Sequence, residues 1–288
     1  VQMAGAVDHP DQGKIIDMAD DMKKNNPNVP DPSCILYPTK GYGDINVLRA
    51  VLKREKPDAI FLITDPRYFE WLFHAENEIR TKIPITYLNI WDNYINKLVL
   101  GDKGKNKIFK YIPHGLNSDK FQILEDDDKK LLEFKKNIQL NPDNNFHLIF
   151  NSRNIRRKQV SNIIMAYRLF IDQLSSEEAK KCQLTLKTEG IFEHGTDLRA
   201  VIEYLCDPEE CNVKILDNKL TTEEMNLMYN SSDGVIQLSN AEGWGLSLTE
   251  AMLTAKPFIA AVTGGMQDQM RFEDENGNWV EFNGEFPS

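Results

Sequence analysis

The sequence contains no long hydrophobic run. Its longest apolar stretches are residues 59–64, 235–238 and 257–262, and each is far shorter than the roughly 20 residues that a membrane-spanning helix needs. We therefore predict no transmembrane segment, while peripheral contact with a membrane stays open.

Positive charge is also scarce. The chain has 34 Lys and Arg residues against 44 Asp and Glu residues, which gives a formal net charge of −10. A protein that binds nucleic acid needs a basic face to neutralise the phosphates. The charge balance therefore predicts no nucleic-acid partner.

Cysteines are few, and metal-binding patterns are missing. Four cysteines in 288 residues do not make a disulfide scaffold. Cys206 and Cys211 have no second Cys or His pair that would complete a zinc site. We predict reduced structural cysteines, no metal site and a cytoplasmic location. No Gly-x-Gly-x-x-Gly motif follows a first strand, which argues against a dehydrogenase.

The dominant pattern that is present is a short apolar strand followed by an amphipathic helix. Such alternation predicts βαβ units and parallel sheets, and near-continuous apolar strands are typical of sheets covered on both faces. The predicted strands are residues 33–37, 58–64, 83–90, 107–113, 146–151, 183–187, 213–216, 234–238 and 258–262. The predicted helices are residues 44–54, 66–79, 125–138, 160–174, 197–205, 221–230 and 246–254.

The length suggests about two domains. An irregular stretch separates two runs of strand–helix alternation, and the domain boundary should fall near residues 116–145. We therefore predict an α/β protein with two Rossmann-like domains, residues 1–118 and residues 119–288.

One candidate site follows the strand at residues 234–238, because ligands of open α/β sheets bind beyond the carboxyl ends of the strands. Gly243 and Gly245 let the backbone approach a ligand, and the next helix offers free N–H groups that suit phosphate. Glu242 and Glu250 can accept hydrogen bonds from the hydroxyls of a sugar. A solvent-facing loop followed by an acidic helix start is the alternative.

A second candidate is the basic segment 151–158, which follows the strand at residues 146–151. Its cations can neutralise a diphosphate and the charge that develops on it, although a basic, solvated loop is the alternative. A third candidate is Gly264 and Gly265, after the last strong strand, where a backbone can approach a ligand closely or simply turn.

These segments together resemble the retaining, GT-B-fold glycosyltransferases of family 4. Glu242 and Glu250, with seven residues between them, resemble the paired-glutamate signature of that family. Arg153 and Lys158 look like its Arg/Lys pair for the donor diphosphate. Residues 250–252, 256–259 and 264–265 follow in family order, and residues 112–117 resemble its interdomain segment. The resemblance covers roughly residues 107–270.

The resemblance implies a GT-B fold, in which two Rossmann-like domains face each other across a cleft. Residues 1–118 would form the acceptor side and residues 119–288 the donor side. The implied reaction transfers a sugar from a nucleotide-diphosphate sugar to a sugar, lipid or protein acceptor, with retention of anomeric configuration. It would need no metal or other cofactor.

The family's functional residues carry over onto matching positions. Arg153 and Lys158 would bind the diphosphate, and Glu242 would contact sugar hydroxyls near the reacting centre; these three form the predicted catalytic set. The amides near the helix start would stabilise the leaving phosphate, Glu250 would hold the ribose, and the loop at 219–220 would lie against the nucleobase. The predicted donor-binding residues are Gly243, Gly245, Leu246, Ser247, Glu250, Lys219 and Leu220.

The acceptor side matches the family less well. The family often has a His after the strand equivalent to residues 83–90, and Asp92 stands near that place here. Asp92 and His114 are therefore the predicted acceptor-side residues. The chain is also shorter than the family pattern, so we expect residues to be missing between Asp92 and Lys97 and at both ends.

Two other functions stay open. The first is a non-catalytic protein that binds a nucleotide sugar. The second is a nucleotide-sugar epimerase of the same two-domain shape, which would require catalytic acids and a His in the cleft.

Overall fold

The computed structural model describes residues 1–6, 10–63, 68–88, 113–270, 272–273, 276 and 279–280. The chain separates into two compact units, residues 1–90 and residues 91–288. Asp92, the expected join between Asp92 and Lys97, and the predicted strand up to residue 112 lie outside the described residues.

The first unit contains two small sheets. Its elements are β1 (Gln2–Ala6), β2 (Ile16–Asp17), α1 (Ala19–Asn25), β3 (Ile35–Lys40), α2 (Ile45–Glu55), β4 (Ile60–Ile63), α3 (Glu70–His74), α4 (Glu76–Arg80) and β5 (Ile85–Leu88). In one sheet, β1 and β3 are parallel and β2 pairs with β3 antiparallel; in the other, β4 and β5 are parallel.

Helix α2 illustrates how the local sequence produces these elements. The Asp44 carboxylate accepts hydrogen bonds from the amides of Asn46 and Val47 and so caps the helix. Leu48 and Val51 lie on one face and are buried. The prediction of a helix at residues 44–54 is therefore confirmed.

Two predictions for the first unit are wrong. The strand at 58–64 was expected to be buried on both faces, but β4 exposes Phe61 and Ile63, by 60% and 59%. Within β4, Ile60 and Leu62 pack against the core of this unit. The single helix expected at 66–79 is, in its described part, two short helices separated at Ala75.

The second unit is built around a five-stranded sheet. The elements are α5 (Lys129–Ile138), β6 (Phe146–Asn151), α6 (Val160–Ile171), α7 (Ser176–Ala179), β7 (Cys182–Lys187), α8 (Leu198–Leu205), β8 (Val213–Ile215), α9 (Thr222–Asn230), β9 (Gly234–Gln237), α10 (Leu246–Leu253), β10 (Phe258–Ala260), α11 (Met266–Gln269), β11 (Phe272–Glu273) and β12 (Trp279–Val280). The strands of the five-stranded sheet lie in the order β10-β9-β6-β7-β8, and all of their pairings are parallel. The α/β class with parallel sheets is confirmed.

Helices cover both faces of this sheet. On one face Phe150 and Leu184 pack with Ile163 of α6. On the other face Ile149 and Val235 pack with residues of α9 and α10. Because neighbouring residues of a strand point to opposite faces, a continuous apolar run is what such a sheet requires. Runs of consecutive apolar residues therefore predict the strands of this sheet.

Among the described residues, no helix is both long enough and apolar enough to cross a bilayer.

Candidate functional site

Strands β6 and β9 are neighbours at the centre of the sheet, and the chain leaves them in opposite directions. β6 leads to β7 on one side, whereas β9 leads to β10 on the other. Ligands of open α/β sheets bind at such a switch point, in a crevice beyond the carboxyl ends of the strands, and we call this place the β6–β9 crevice. The loop after β6 and the loop after β9 flank this crevice, and together with α10 they carry most of the predicted site residues.

The loop after β6 is fixed by a buried amide. The side chain of Asn154 donates hydrogen bonds to the carbonyls of Glu189 (3.1 Å) and Thr196 (2.6 Å), and its Oδ1 accepts one from the Thr196 amide. Arg153 is exposed beside it. The loop ends in a short 3-10 turn, Arg156–Lys158, from which α6 begins.

Lys158 and Glu242 form an ion pair between these two loops. The Lys158 Nζ donates to Oε1 of Glu242, and both residues are almost completely buried. Burial would raise the pKa of Glu242. The hydrogen bonds from Lys158 and Ser239 and the positive charges of Lys158 and Arg157 outweigh it, so the pKa lies below its usual value. Burial lowers the pKa of Lys158, and the bond to Glu242 opposes that effect.

Two further side chains reach Glu242. The Nη1 of Arg157 lies 3.3 Å from Oε2 and also donates to the Ala241 carbonyl. The Nε2 of Gln237, at the end of β9, donates to Oε1 over 3.1 Å. Each carboxylate oxygen therefore has a positively charged neighbour, and the side chain is held in one orientation.

The start of α10 is shaped by glycine. Gly245 has a φ of +85°, a conformation that glycine adopts at little cost. A Cβ on Gly265 would lie 2.0 Å from the Gly243 carbonyl oxygen, and the Gly265 amide donates to the Glu242 carbonyl over 2.9 Å. Leu246 is 44% exposed and Ser247 is buried at the first turn. The first amides of a helix have no partner within it and favour anions.

Glu250 lies in α10, and its carboxylate accepts hydrogen bonds from two side chains. The Tyr229 hydroxyl donates to its Oε2, and Asn151 Nδ2 lies 2.9 Å from the Tyr229 hydroxyl and 3.4 Å from the same Oε2. Burial raises the pKa of Glu250, against the effect of these hydrogen bonds.

The remaining predicted residues belong to other segments of the chain. Lys219 and Leu220 follow β8, which is separated from β6 by β7; Lys219 is exposed, and Leu220 packs partly into the core. The His114 ring centroid lies 5.9 Å from that of Trp244, in the loop after β9. Asp92 lies outside the described residues.

Two of the supporting residues were not singled out by the sequence. Tyr229 and Gln237 occupy positions in α9 and β9 that a pattern of apolar residues assigns to the core. Only the polar end of each side chain distinguishes it from a core residue. Within the described ranges, no group of three or more His, Cys, Asp or Glu residues is placed to hold a metal ion.

A family model described as Glycosyl transferases group 1 matches residues 132–285. This range is more than half of the chain and contains both loops and α10. The chain belongs to this family. The matched range therefore includes the residues on both sides of the β6–β9 crevice.

Curated relatives match this chain over a short segment. A stretch of 64 residues is 39% identical to the trehalose synthase of Pyrococcus horikoshii and 36% identical to that of Thermococcus litoralis. The stretch is 22% of this chain, and it spans only 15% and 16% of those two proteins.

Similar solved structures cover much more of the chain. A glycosyltransferase from Rickettsia africae ESF-5 has a TM-score of 0.60, is 13% identical, and covers 93% of this chain and 73% of its own. The structure "Trehalose-6-phosphate from E. coli bound with UDP-2-fluoro glucose" has a TM-score of 0.60, is 10% identical, and covers 92% and 78%. These structural neighbours are GT-B glycosyltransferases, and at this identity they are evidence for the fold alone.

Proposed function

We propose that this chain is a retaining GT-B glycosyltransferase of family 4, which transfers a sugar from a nucleoside-diphosphate sugar to an acceptor. The observation that carries the proposal is the pairing of Lys158 with Glu242 beside the start of α10. A donor of this kind needs a cation for its diphosphate and a hydrogen-bond acceptor for its sugar hydroxyls, and this crevice offers both. Membership of the group 1 family supports the same conclusion.

The diphosphate binds Arg153, Lys158 and the free amides around residues 245–247. As the bond between the sugar and the diphosphate breaks, negative charge builds up on the departing phosphate. Fixed cations and amides stabilise that charge without having to reorganise. They thus do the work that a metal ion does in other enzymes, and no metal is required in this proposal.

The sugar and the nucleoside are recognised by the two glutamates. Glu242 accepts hydrogen bonds from sugar hydroxyls near the reacting carbon. Glu250 accepts hydrogen bonds from the ribose hydroxyls, while Lys219 and Leu220 lie against the nucleobase. The low pKa of Glu242 supports this role, because only a deprotonated carboxylate is an acceptor at both oxygens.

Lys158 changes partner during binding. In the structure it donates to Glu242. The diphosphate takes its place, and the released Oε1 of Glu242 then accepts a hydrogen bond from the sugar. Until then, the ion pair supplies each of the two buried charges with a partner of opposite sign.

The acceptor attacks from the side on which the diphosphate leaves, so that configuration is retained, and no protein nucleophile is assigned. Residues 1–118 form the acceptor-side domain and residues 119–288 the donor-side domain of a two-domain cleft. Asp92 and His114 contribute to the acceptor side. The acceptor is a sugar, a lipid or a protein, and the enzyme acts in the cytoplasm.

A thermal-shift experiment with UDP, GDP and ADP tests donor binding. A nucleotide present at 100 times its Kd stabilises the folded state by about 2.7 kcal/mol, so the correct base raises the Tm by several degrees. Arg153→Ala and Glu250→Ala lose this shift. Lys136→Ala and Glu177→Ala, which remove exposed charges from the helices that lead into the amino ends of β6 and β7, keep it. A wild-type Tm that no nucleotide changes overturns the proposal.

Turnover distinguishes an enzyme from a binding protein. The protein is incubated with the sugar nucleotide of the preferred base, and proton NMR follows the released sugar, with water as the acceptor. We expect the anomer of the donor to appear first, at an equal rate with and without EDTA. Tight binding without turnover supports the non-catalytic binder, and conversion of the intact donor to a diastereomer supports the epimerase.

A further inference from the structure

Arg157 connects the two loops of the crevice in a way that neither Arg153 nor Lys158 does. Its backbone carbonyl accepts hydrogen bonds from the Asn240 amide (2.8 Å) and the Ser239 hydroxyl (3.3 Å). Its guanidinium donates to the Ala241 carbonyl and approaches Glu242. One residue of the loop after β6 therefore contacts four consecutive residues of the loop after β9.

The contact with Glu242 falls on a different oxygen from that of Lys158. Oε1 of Glu242 receives Lys158 and Gln237, whereas Oε2 faces Arg157 at 3.3 Å. The Arg157 side chain is 35% exposed and that of Glu242 only 6%. When a diphosphate withdraws Lys158 from Oε1, Arg157 is the cation that stays beside the buried carboxylate. A buried carboxylate without a cation is strongly disfavoured.

Arg156 provides an internal comparison. It belongs to the same 3-10 turn and carries the same charge, but its side chain is exposed. The difference between the two arginines is thus one of contact and not of charge. A role that depends on charge alone would be shared by both residues.

We propose that Arg157 is a positioning residue for Glu242: it holds the Glu242 carboxylate and the loop after β9 in place while Lys158 moves to the donor diphosphate. This inference rests on the proposed function, because it requires a donor that competes for Lys158. Arg157 itself does not touch the donor. It acts through Glu242.

Steady-state kinetics of donor turnover test this role in wild-type protein, Arg157→Ala, Arg157→Lys and Arg156→Ala. In Arg157→Ala we expect kcat to fall about 10- to 100-fold, the change that corresponds to losing a hydrogen bond to a charged group. The donor KM changes less than about threefold, because the cations that bind the diphosphate remain. Arg156→Ala loses much less activity. Arg157→Lys recovers part of kcat, since an ammonium keeps the charge without the planar fork.

The pH profile and a double-mutant cycle separate positioning from a general structural role. With Arg157 removed, Glu242 takes up a proton at higher pH, so the acidic limb of the kcat profile moves to higher pH; in Arg156→Ala it does not. In a Glu242→Gln background, replacing Arg157 with Ala has little further effect on kcat, because the two residues act as a unit. Circular dichroism and Tm confirm that every variant is folded.

Three results decide the matter. If Arg157→Ala raises the donor KM with kcat unchanged, Arg157 binds the diphosphate directly and the inference is overturned. If it loses the same factor of kcat in the Glu242→Gln background, or if neither Arg157→Ala nor Arg157→Lys differs from Arg156→Ala, the inference is overturned while the proposed function stands. If wild-type protein neither binds nor turns over any donor, the proposed function fails and this inference fails with it.

Discussion

The Tyr229 hydroxyl donates a hydrogen bond to Oε2 of Glu250 over 2.5 Å, from a side chain with no exposure to solvent. Asn151 donates to both groups. Both contacts on the glutamate fall on Oε2, so in the proposed function Oε1 is the oxygen that accepts from the ribose. Burial and the neighbouring Glu250 carboxylate raise the pKa of Tyr229, so it stays a hydroxyl donor at any physiological pH.

Replacing Tyr229 with Phe removes the hydroxyl that donates to Glu250 and keeps the aromatic ring. Burial already raises the pKa of Glu250, and the Tyr229 bond opposes that effect. We therefore expect the pKa of Glu250 to rise further in Tyr229→Phe. As the pH is lowered, Glu250 then becomes protonated earlier, and nucleotide binding is lost at a higher pH than in the wild type. Calorimetric measurement of the nucleotide Kd between pH 5 and 8 tests this. Near neutrality, we expect the binding free energy of Tyr229→Phe to be weaker by about 1 kcal/mol.

Tyr204→Phe is the matched control, because the Tyr204 side chain is 88% exposed. Its pH dependence of binding should equal that of the wild type. Identical profiles for Tyr229→Phe and Tyr204→Phe would show that Tyr229 does not act on Glu250.

Gly265→Ala should disrupt the loop before α10. The added Cβ would meet the Gly243 carbonyl oxygen at 2.0 Å, and backbone cannot yield as a flexible side chain can. Overpacking of this kind costs about 1–3 kcal/mol, and we expect a lower Tm together with weaker nucleotide binding. Gly115→Ala is the control, since nothing lies within 4 Å of its added Cβ. An unchanged Tm in Gly265→Ala would contradict the close approach.

His147 makes stability depend on pH. Its ring is buried and contacts the Ser231 carbonyl and the Thr185 hydroxyl, and burial lowers its pKa. As the pH falls, the unfolded chain takes up a proton at His147 before the folded protein does. The stability that the neutral, buried ring contributes is therefore fully present above about pH 6.5. It falls as the pH drops from that value towards the folded-state pKa, by at most about 1.4 kcal/mol per pH unit.

Urea unfolding between pH 5 and 8 measures this dependence. His147→Gln should show a smaller loss of unfolding free energy between pH 7 and pH 5 than the wild type. His194→Gln, which alters an exposed histidine, should follow the wild-type curve. Parallel curves for all three proteins would contradict the assignment to His147.

Thr221 closes a capping box at the start of α9. Its hydroxyl accepts from the Glu224 amide, and the Glu224 carboxylate accepts from the Thr221 amide. Loss of such a cap costs about 1 kcal/mol, so Thr221→Ala should lower the unfolding free energy by that amount. Thr222→Ala changes the neighbouring exposed threonine and should have a much smaller effect. Equal losses in the two variants would rule out the cap as the cause.

The second unit was largely predictable from the sequence. Strand β6 was predicted with the observed bounds, and the ends of β7, β9 and α10 differ by only one residue. The reason is physical: a parallel strand covered on both faces must be apolar throughout, and few other elements have that pattern. The same pattern led to an error in the first unit, where β4 is apolar but exposes alternate residues.

The sequence indicated candidates for the site but not their contacts. Glycines and charges that follow the ends of strands pointed to Glu242, Glu250 and the basic segment 151–158, and the family resemblance selected Arg153 and Lys158 within that segment. Nothing in the sequence indicated that Lys158 donates to Glu242, since the two are 84 residues apart and meet only through the pairing of β6 with β9. Tyr229 was missed because its ring belongs to the core and only its hydroxyl serves the site.

The central position of β6 has a consequence for synthesis on the ribosome. Leu148 of β6 pairs with Gly234 of β9, and β7 and β8 are both made in between. One edge of β6 therefore stays open while most of the unit is already translated, and an open strand edge is prone to wrong pairing. The crevice cannot exist on a nascent chain until β9 has emerged, so any chaperone assistance would matter most in that interval.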